Sequence, residues 1–266
     1  MNYTARYSLE FNPFIKNSKE ILIETSQYKE VRFRLDYLLQ TKGFGLITGE
    51  PGNGKTTSIR NWANSLNPSA YKIIYLPLST LTVQETYRQL ALALGMEPRF
   101  RKHENFENIQ SAIRRTVIEK KVTPIIIMDE ANYLSSQALN DLKILFNFDM
   151  DSKDMAVIIL SGLPILNNIL NMRTNEPLRQ RIITSYNIEG LSIEEAKKYI
   201  RGKLKAAGCH SEIFSEAALQ AICSYSTGNP RVLSKVCNAC LLIGDQQNEN
   251  TIDEEIVTQA INEVEL

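Results

Sequence analysis

One stretch of the sequence has the residue types and spacing of a phosphate-binding loop. The pattern G-x-x-x-x-G-K-[ST], with one further threonine, is met by Gly49, Glu50, Pro51, Gly52, Asn53, Gly54, Lys55, Thr56 and Thr57. Glycines let such a loop wrap a phosphate with its backbone N–H groups, and the following helix adds partial positive charge. Lys55 would reach the β- and γ-phosphates, and the Thr56 hydroxyl would ligate Mg²⁺. The stretch therefore predicts a site for ATP and Mg²⁺.

An acidic pair ends an apolar run about 75 residues further on. Residues 124–128 read Pro-Ile-Ile-Ile-Met, and Asp129 and Glu130 follow them. A carboxylate at the end of a buried strand suits a magnesium ligand, which is the role predicted for Asp129. Glu130, the next residue, is placed to polarise the water that attacks the γ-phosphate, so we expect it to be the general base.

Four further polar residues are candidates for contacts to the γ-phosphate. Ser161 follows an apolar strand and either senses the γ-phosphate or caps the next turn. Arg179 and Arg181 are candidates for an arginine donated to a neighbouring subunit, with Arg181 favoured and a surface salt bridge as the competing interpretation. Arg231 opens a C-terminal helix, where it either reports the nucleotide state or forms a structural ion pair.

The elements that must position these residues alternate between apolar runs and helical patterns, which is typical of a parallel sheet with crossover helices. The predicted strands are residues 44–48, 72–77, 124–128, 155–160 and 183–188. Two of these runs do not alternate with polar residues, as expected for strands that are buried on both faces. The fold class predicted for this region is therefore α/β.

After residue 190 the pattern becomes helical. Helix starts are indicated by Ser192 with Glu195, by Ser215, by Pro230 and by Asp253. We therefore expect an α/β nucleotide-binding core over residues 1–190, with an N-terminal segment of residues 1–25, and a helical lid domain over residues 191–266.

Composition indicates a soluble protein without an obvious membrane segment. The sequence has 43% hydrophobic and 23% charged residues and a net charge of zero. No apolar run approaches the length of a transmembrane helix, and no signal peptide is visible, so the cytoplasm is the expected location. Cys237 and Cys240 form a C-x-x-C inside a helical pattern; buried, unpaired thiols are favoured over a metal or redox site.

The order of these motifs resembles that of the AAA+ ATPases of the ExeA group. The shared features are the phosphate loop, the Asp129-Glu130 strand, Ser161, Leu178-Arg179-Gln180-Arg181, Gly228-Asn229-Pro230-Arg231 and the opening Phe11-Asn12-Pro13-Phe14. The same clade includes the transposition helper ATPases MuB, IstB, TniB and TnsC, whose ATP-bound oligomer coats or encircles DNA and recruits a transposase. The resemblance implies an AAA+ core with a parallel five-stranded sheet flanked by helices, followed by a C-terminal α-helical lid.

The resemblance also implies roles for individual residues. Ser161 takes the first sensor role, Arg181 the arginine finger and Arg231 the second sensor. In DNA-binding members, contacts come from the loop after the second strand and from the segment beyond the next helix. The corresponding positions here are residues 79–82, which begin with Ser79, and residues 99–103, and the candidate contacts among them are Thr80, Thr82, Arg99, Arg101 and Lys102. Residues 99–121 hold seven basic and three acidic residues, which is either a DNA contact or an ordinary solvated helix face.

Two functional hypotheses follow from the resemblance. The first is an ATP-hydrolysing transposition helper, with double-stranded DNA, a transposase and copies of itself in a ring or filament as partners. The second is a secretion-related or other assembly ATPase that remodels a protein partner without DNA. The membrane and periplasmic parts of ExeA proteins and the extra N-terminal domain of MuB have no counterpart in this sequence, which favours the first. A nucleotide switch with negligible turnover is disfavoured by Glu130.

Overall fold

The structure, a computed structural model, describes residues 3–77 and 80–265. In this part of the chain five strands form one parallel sheet in the order β2-β3-β4-β1-β5. The strands are β1 (Gly43–Gly49), β2 (Tyr71–Pro77), β3 (Thr123–Asp129), β4 (Val157–Gly162) and β5 (Ile182–Ile188). The predicted parallel five-stranded sheet is thus confirmed. β4 begins two residues later than expected, because Val157 is the first residue that pairs with β1.

Helices connect successive strands, as parallel pairing requires. In chain order they are α1 (Tyr3–Arg6), α2 (Ser26–Thr41), α3 (Lys55–Asn64), α4 (Val83–Ala93), α5 (Lys102–Ile118), α6 (Ser136–Leu145), α7 (Ile165–Asn171) and α8 (Glu176–Arg179). Short 3-10 turns lie at Ala131–Tyr133, Asp149–Asp151 and Arg173–Asn175. The connection from β2 to β3 contains two helices, α4 and α5, joined by a short turn.

Each face of the sheet packs on its own apolar cluster. On one face, Ile47, Ile125, Ile127 and Ile159 pack with α2 and α3. On the other face, Leu46, Ile126, Met128, Ile158 and Leu160 pack with residues of α4, α5 and α6. Because successive strand residues point to opposite faces, an apolar run such as residues 125–128 is buried on both sides. Burial on both faces of the sheet therefore explains why these strands are continuous apolar runs in the sequence.

The chain after β5 is helical, as predicted. It comprises α9 (Ile193–Ala206), α10 (Glu216–Ser226), α11 (Pro230–Gln246) and α12 (Glu254–Val264). The side chains of Ser192, Ser215 and Asp253 accept hydrogen bonds from the first turns of α9, α10 and α12. Pro230 is the first residue of α11, where its missing N–H costs nothing. These helix starts are confirmed.

The chain divides into two compact units. One comprises the residues up to Lys29, Gly52–Gly54 and the residues from Glu189 onward; the other comprises Glu30–Pro51 and Lys55–Ile188. In the first unit, the N-terminal segment packs on the C-terminal helices: Tyr7, Leu9 and Phe14 share an apolar cluster with α9 to α12. The functional domain boundary at residue 190 stays a prediction.

Polar contacts hold the N-terminal segment in the first unit. The Asn12 side chain donates to Asn238 Oδ1 at 2.8 Å, and its own Oδ1 accepts from the Phe14 N–H at 2.9 Å. Lys203 donates to the Pro13 carbonyl at 3.0 Å. The Asn12-Pro13-Phe14 sequence therefore holds the N-terminal segment against the C-terminal helices.

The structure agrees with the interpretation of the cysteines as buried, unpaired thiols. Within the described residues, Cys209, Cys223, Cys237 and Cys240 are buried and free. Burial raises the pKa of Cys240 to about 12, so its thiol stays protonated and unreactive at neutral pH. No helix in residues 3–77 and 80–265 is long and apolar enough to cross a membrane.

Candidate nucleotide site

The candidate residues lie where neighbouring parallel strands end. β1, β3 and β4 run in the same direction, so their carboxyl ends share one edge of the sheet. The pairing places Ile47 opposite Ser161 and Pro77 opposite Asp129. β1 ends at Gly49, where the phosphate loop begins. The topology thus brings together residues that are far apart in the sequence, as in other open α/β sheets with ligands at this edge.

The phosphate loop has glycine where its geometry requires one. A Cβ on Gly49 would lie 2.7 Å from the Ile188 carbonyl oxygen, which is closer than real contacts allow. Gly54 has φ +92°, a left-handed conformation that side chains disfavour, and α3 starts at the next residue. Buried Lys55 donates from Nζ to the carbonyls of Gly49 (2.7 Å) and Glu50 (3.1 Å). Its ammonium therefore lies against the loop whose bound phosphates it is predicted to contact.

Partly buried hydrogen bonds fix the elements on either side of the loop. At the end of β1, Thr48 Oγ1 donates to Asn187 Oδ1 at 3.0 Å and accepts from Asn167 Nδ2 at 3.0 Å. In α3, the fully buried Trp62 donates from its indole to Asp36 Oδ1 at 2.8 Å. Strand and helix are thereby tied to β5, α7 and α2, so the loop is supported from both ends.

Asp129 is the centre of the site. Among the described residues, its Oδ2 accepts hydrogen bonds from Thr56 Oγ1 (2.8 Å) and the Tyr75 hydroxyl (3.0 Å). Its Oδ1 accepts from Ser161 Oγ (2.8 Å) and the Glu130 N–H (3.1 Å). Only 4% of Asp129 is exposed. A buried carboxylate with several donors is held in one orientation, and an oxygen pair from Asp129 and Thr56 suits a hard cation such as Mg²⁺.

Tyr75 is a site residue that the sequence analysis missed. It lies on the edge strand β2, two residues before Pro77, which pairs with Asp129, so its side chain shares a face with that carboxylate. Burial of its hydroxyl, with the negative charge of Asp129, raises the pKa of Tyr75 to about 12. The phenol therefore stays a hydrogen-bond donor at neutral pH. Its only signal in the sequence is an aromatic residue within a strand, which is too common to single out.

Glu130 has a strained backbone and an unengaged carboxylate. Its φ of 58° and ψ of 38° lie in the left-handed region, which costs a non-glycine residue about 1–2 kcal/mol. Its N–H and C=O are held by Asp129 Oδ1 and by the Tyr133 N–H at 3.0 Å. No described side chain hydrogen-bonds or ion-pairs with the Glu130 carboxylate, which leaves it available to a water molecule. Strain of this kind clusters at functional sites.

Ser161 faces Asp129 rather than the turn that follows it. The side chain is fully buried, and its hydroxyl donates to Asp129 Oδ1. The following turn is instead held by Asn132, whose Oδ1 accepts from the Leu163 N–H at 2.9 Å. Asn132 also lies against Gly162, where a Cβ would come within 2.6 Å of its Oδ1. Asn132 is thus a second positioning residue that the sequence analysis did not identify.

The two finger candidates differ in exposure. Arg179 is exposed at the end of α8, and its Nη1 donates to Asn171 Oδ1 at 3.2 Å. Arg181 is half-buried, and its Nη1 donates to the Lys143 carbonyl at 3.2 Å. Burial lowers the pKa of the Arg181 guanidinium. Arg179 is therefore the more accessible of the two, although the sequence analysis favoured Arg181.

Arg231 lies in the first turn of α11 with an exposed side chain. Its N–H donates to Asn229 Oδ1 at 3.0 Å, and no ion pair to its side chain is found among the described residues. Within the same compact unit, Asn229 Nδ2 donates to Asn53 Oδ1 at 3.1 Å. The expected competitor for a sensor role, a structural ion pair, is thus not observed in the described part of the chain.

The candidate DNA contacts have mixed surroundings. Ser79 lies outside the described residues. Thr80 is exposed, whereas the Thr82 side chain caps α4 through Glu85. Lys102 forms a salt bridge with Asp141 and lies 5.3 Å from the ring centroid of Tyr87. Thr82 and Lys102 therefore have structural tasks of their own.

Arg99 and Arg101 flank an exposed turn at the start of α5. Their side chains are exposed, and only a 4.0 Å approach between Arg99 and Glu97 engages either guanidinium among the described residues. These two arginines, with exposed Thr80, are thus the candidates that remain available to a nucleic acid.

Comparison with known proteins identifies a family and several relatives for this chain. The AAA domain family matches residues 38–170. General secretion pathway protein A of Aeromonas hydrophila is 29% identical over 98% of this chain, which spans 48% of that protein's length. ATP-dependent target DNA activator B of Escherichia phage Mu is 24% identical over 92% of this chain and 73% of its own length. The structure of Cdc6p from Pyrobaculum aerophilum aligns with a TM-score of 0.71 and 16% identity, over 95% of this chain and 70% of that one.

Proposed function

Since the chain belongs to the AAA domain family and is an ATPase domain, we propose that it is an ATP-dependent, DNA-binding transposition helper. It would select target DNA, present it to a transposase, and be cleared when ATP is hydrolysed to ADP and phosphate. The observation that carries the ATPase part is the Asp129 carboxylate, aligned by Thr56, Ser161 and Tyr75 beside the phosphate loop.

The residues present fit an ATP–Mg²⁺ site. Thr56 Oγ1 and Asp129 Oδ2 lie 2.8 Å apart, so hard oxygen ligands are available side by side. When bound there, Mg²⁺ would neutralise phosphate charge. Lys55 would leave the loop carbonyls and donate to the phosphates instead. This exchange keeps the buried ammonium hydrogen-bonded throughout, which avoids the cost of an unpaired buried charge.

Glu130 is proposed as the base of the hydrolytic step. Its carboxylate would accept a proton from the attacking water as the bond from the water oxygen to the γ-phosphorus forms, while the bond from that phosphorus to the bridging oxygen breaks and ADP leaves. The left-handed backbone directs Glu130 differently from Asp129, so that adjacent carboxylates serve a metal and a water separately. An arginine from a neighbouring copy would stabilise the transition state, and the exposure of the two candidates moves our proposal from Arg181 to Arg179. Arg231 is proposed as the second sensor.

DNA binding is proposed on the basis of the phage relatives and of local charge. The Mu protein is named an ATP-dependent target DNA activator. In this chain, residues 99–121 carry seven basic and three acidic residues, and Arg99 and Arg101 are exposed. Although the chain has no net charge, an oligomer would repeat this basic surface along the duplex. Each added phosphate contact steepens the dependence of affinity on salt.

The second candidate is an assembly ATPase that remodels a protein partner. It is favoured by the higher identity to the secretion protein, 29% against 24% for the phage protein. The two functions differ in their response to DNA, because only the first requires it.

The test is retention of labelled duplex by the protein at low salt, with ATP, ADP or no nucleotide. The transposition-helper proposal predicts retention that requires ATP and declines steeply as salt rises. Absence of retention in ATP, by a protein that still hydrolyses it, would leave the remodelling function as the better account.

A further inference from the structure

The turn between α4 and α5 presents an unusual exposed aromatic side chain. Phe100 is 80% exposed, the highest value for an aromatic residue in the described part of the chain. Arg99 and Arg101 flank it, and we refer to these three residues as the α4–α5 tip. A phenyl ring is normally buried, because transfer of its apolar surface out of water is favourable. The ring stands out because two arginines adjoin it in the sequence, so that apolar surface and positive charge are presented at one turn.

Hydrogen bonds hold the backbone of the tip in place. Fully buried Asn105 accepts from the Arg99 N–H at 2.8 Å and donates to the carbonyls of Arg99 (2.9 Å) and Arg101 (3.2 Å). Gln84, on α4, donates to the Phe100 carbonyl. The exposed ring is thus mounted on a fixed turn, so that little conformational freedom is lost when it binds.

Charge identifies the partner. The residues before and after Phe100 are exposed arginines, and this sequence suits a partner with negative charge near an apolar surface. Duplex DNA has this arrangement, with phosphates on its two strands and stacked bases between them. Proteins that insert apolar side chains, phenylalanine among them, between base pairs combine the wedge with arginine or lysine contacts.

We infer that Phe100 is a wedge that enters a base step of duplex DNA from the minor groove, while Arg99 and Arg101 bind the phosphates on either side. This inference rests on the proposed DNA-binding function and adds a mode of binding to it. Flexible pyrimidine–purine steps unstack most easily. The wedge would therefore make the protein favour deformable or already bent target DNA without reading its sequence.

The experiment uses the full chain with ATP and the Glu130→Gln variant as background, so that nucleotide is not consumed. The probe is a duplex with 2-aminopurine at a TA step, whose fluorescence rises when the base unstacks. Phe100→Ala is compared with Phe33→Ala, a matched control because Phe33 is 69% exposed on α2. The double variant Arg99→Ala/Arg101→Ala is used to measure how the affinity for DNA depends on salt concentration.

The protein with an unaltered α4–α5 tip and the Phe33→Ala variant should both raise the 2-aminopurine fluorescence when they bind the duplex. Phe100→Ala should abolish the rise and weaken binding by roughly tenfold, with unchanged thermal unfolding because the ring is exposed. The double arginine variant should lower the slope of log affinity against log salt by about 1.8, because two phosphate-binding side chains are removed.

Two results would overturn the inference, and they are distinguishable. If the protein binds DNA and Phe100→Ala gives the same fluorescence rise as Phe33→Ala, the wedge is wrong while DNA binding stands. If the protein with ATP does not bind duplex at all, the proposed function itself fails, and the wedge fails with it.

Discussion

At the scale of single residues, the site depends on one carboxylate with several donors. Asp129 is buried and oriented by Thr56, Ser161 and Tyr75, while its neighbour Glu130 has no side-chain partner among the described residues. Hydrogen bonds to a charged group contribute about 1.5–3 kcal/mol each, so this orientation is well defined. In the proposed mechanism, the oriented carboxylate binds the metal and the available one acts as the base.

Glu130→Gln should retain ATP binding and lose hydrolysis by about 10²–10⁴-fold, because an amide cannot accept the proton. Lys55→Ala should lose both, since its ammonium is the proposed phosphate ligand. Nucleotide binding by a fluorescent ATP analogue and phosphate release measure the two properties, and Glu263→Gln on the exposed face of α12 is the control. Undiminished phosphate release by the Glu130 variant would refute the base assignment.

Tyr75→Phe removes one donor from Asp129 and leaves the ring. We expect the Mg²⁺ concentration for half-maximal hydrolysis to rise by roughly tenfold or more, since a hydrogen bond that orients a charged group is lost. Tyr37→Phe is the matched control, because Tyr37 is 47% exposed and Tyr75 48% exposed. If both variants have the Mg²⁺ dependence of the parent, the Tyr75 bond does not position the site.

At the scale of elements, helix caps organise the C-terminal region. The Ser192 hydroxyl accepts from the Glu195 N–H, and the Glu195 carboxylate accepts in turn from the Ser192 N–H. Glu195 also accepts from the Ser26 N–H at 2.9 Å. The cap of α9 and the start of α2 thus share one carboxylate.

These bonds, chiefly the one from Ser26, lower the pKa of Glu195 from its ordinary value of 4.5. A lowered pKa in the folded state contributes stability above pH 4.5, which is lost as pH falls through the folded-state value. Glu195→Gln should therefore reduce the free energy of unfolding at about pH 7, and its difference from wild type should shrink near about pH 4. Urea unfolding at both pH values measures this. A difference of the same size at both would contradict the assignment.

Sequence predicted the elements well because their signals are local. The strand runs, the serine and aspartate caps and the phosphate loop depend on neighbouring residues, and the structure confirms the fold that they imply. Tyr75 and Asn132 were not predicted from the sequence. The role of Tyr75 arises from the pairing of β2 with β3, and that of Asn132 from a contact with the turn after β4. The exposure of Arg179 relative to Arg181 likewise depends on packing against α6, which no local pattern reports.

At the scale of the whole molecule, the proposed mechanism requires an assembly. If Arg179 serves a neighbouring site, a single copy lacks a catalytic group and should hydrolyse ATP poorly. Arg179→Ala should lose activity by about 10³-fold or more. Mixing it with inactive Glu130→Gln should restore activity, because the first supplies the base and the second the arginine. Phosphate release by the mixture, with Arg173→Ala as an exposed-arginine control, measures this. Failure to complement would exclude a shared site.

The most direct test of the central claim is ATPase rate and particle size, measured together with and without double-stranded DNA. Size-exclusion chromatography with light scattering and a phosphate-release assay suffice. We predict ATP-dependent assembly on DNA and a higher rate of hydrolysis when DNA is present. Vigorous hydrolysis with no change in rate or particle size on adding DNA would contradict the helper function. Only the assignment of the nucleotide site would then remain supported.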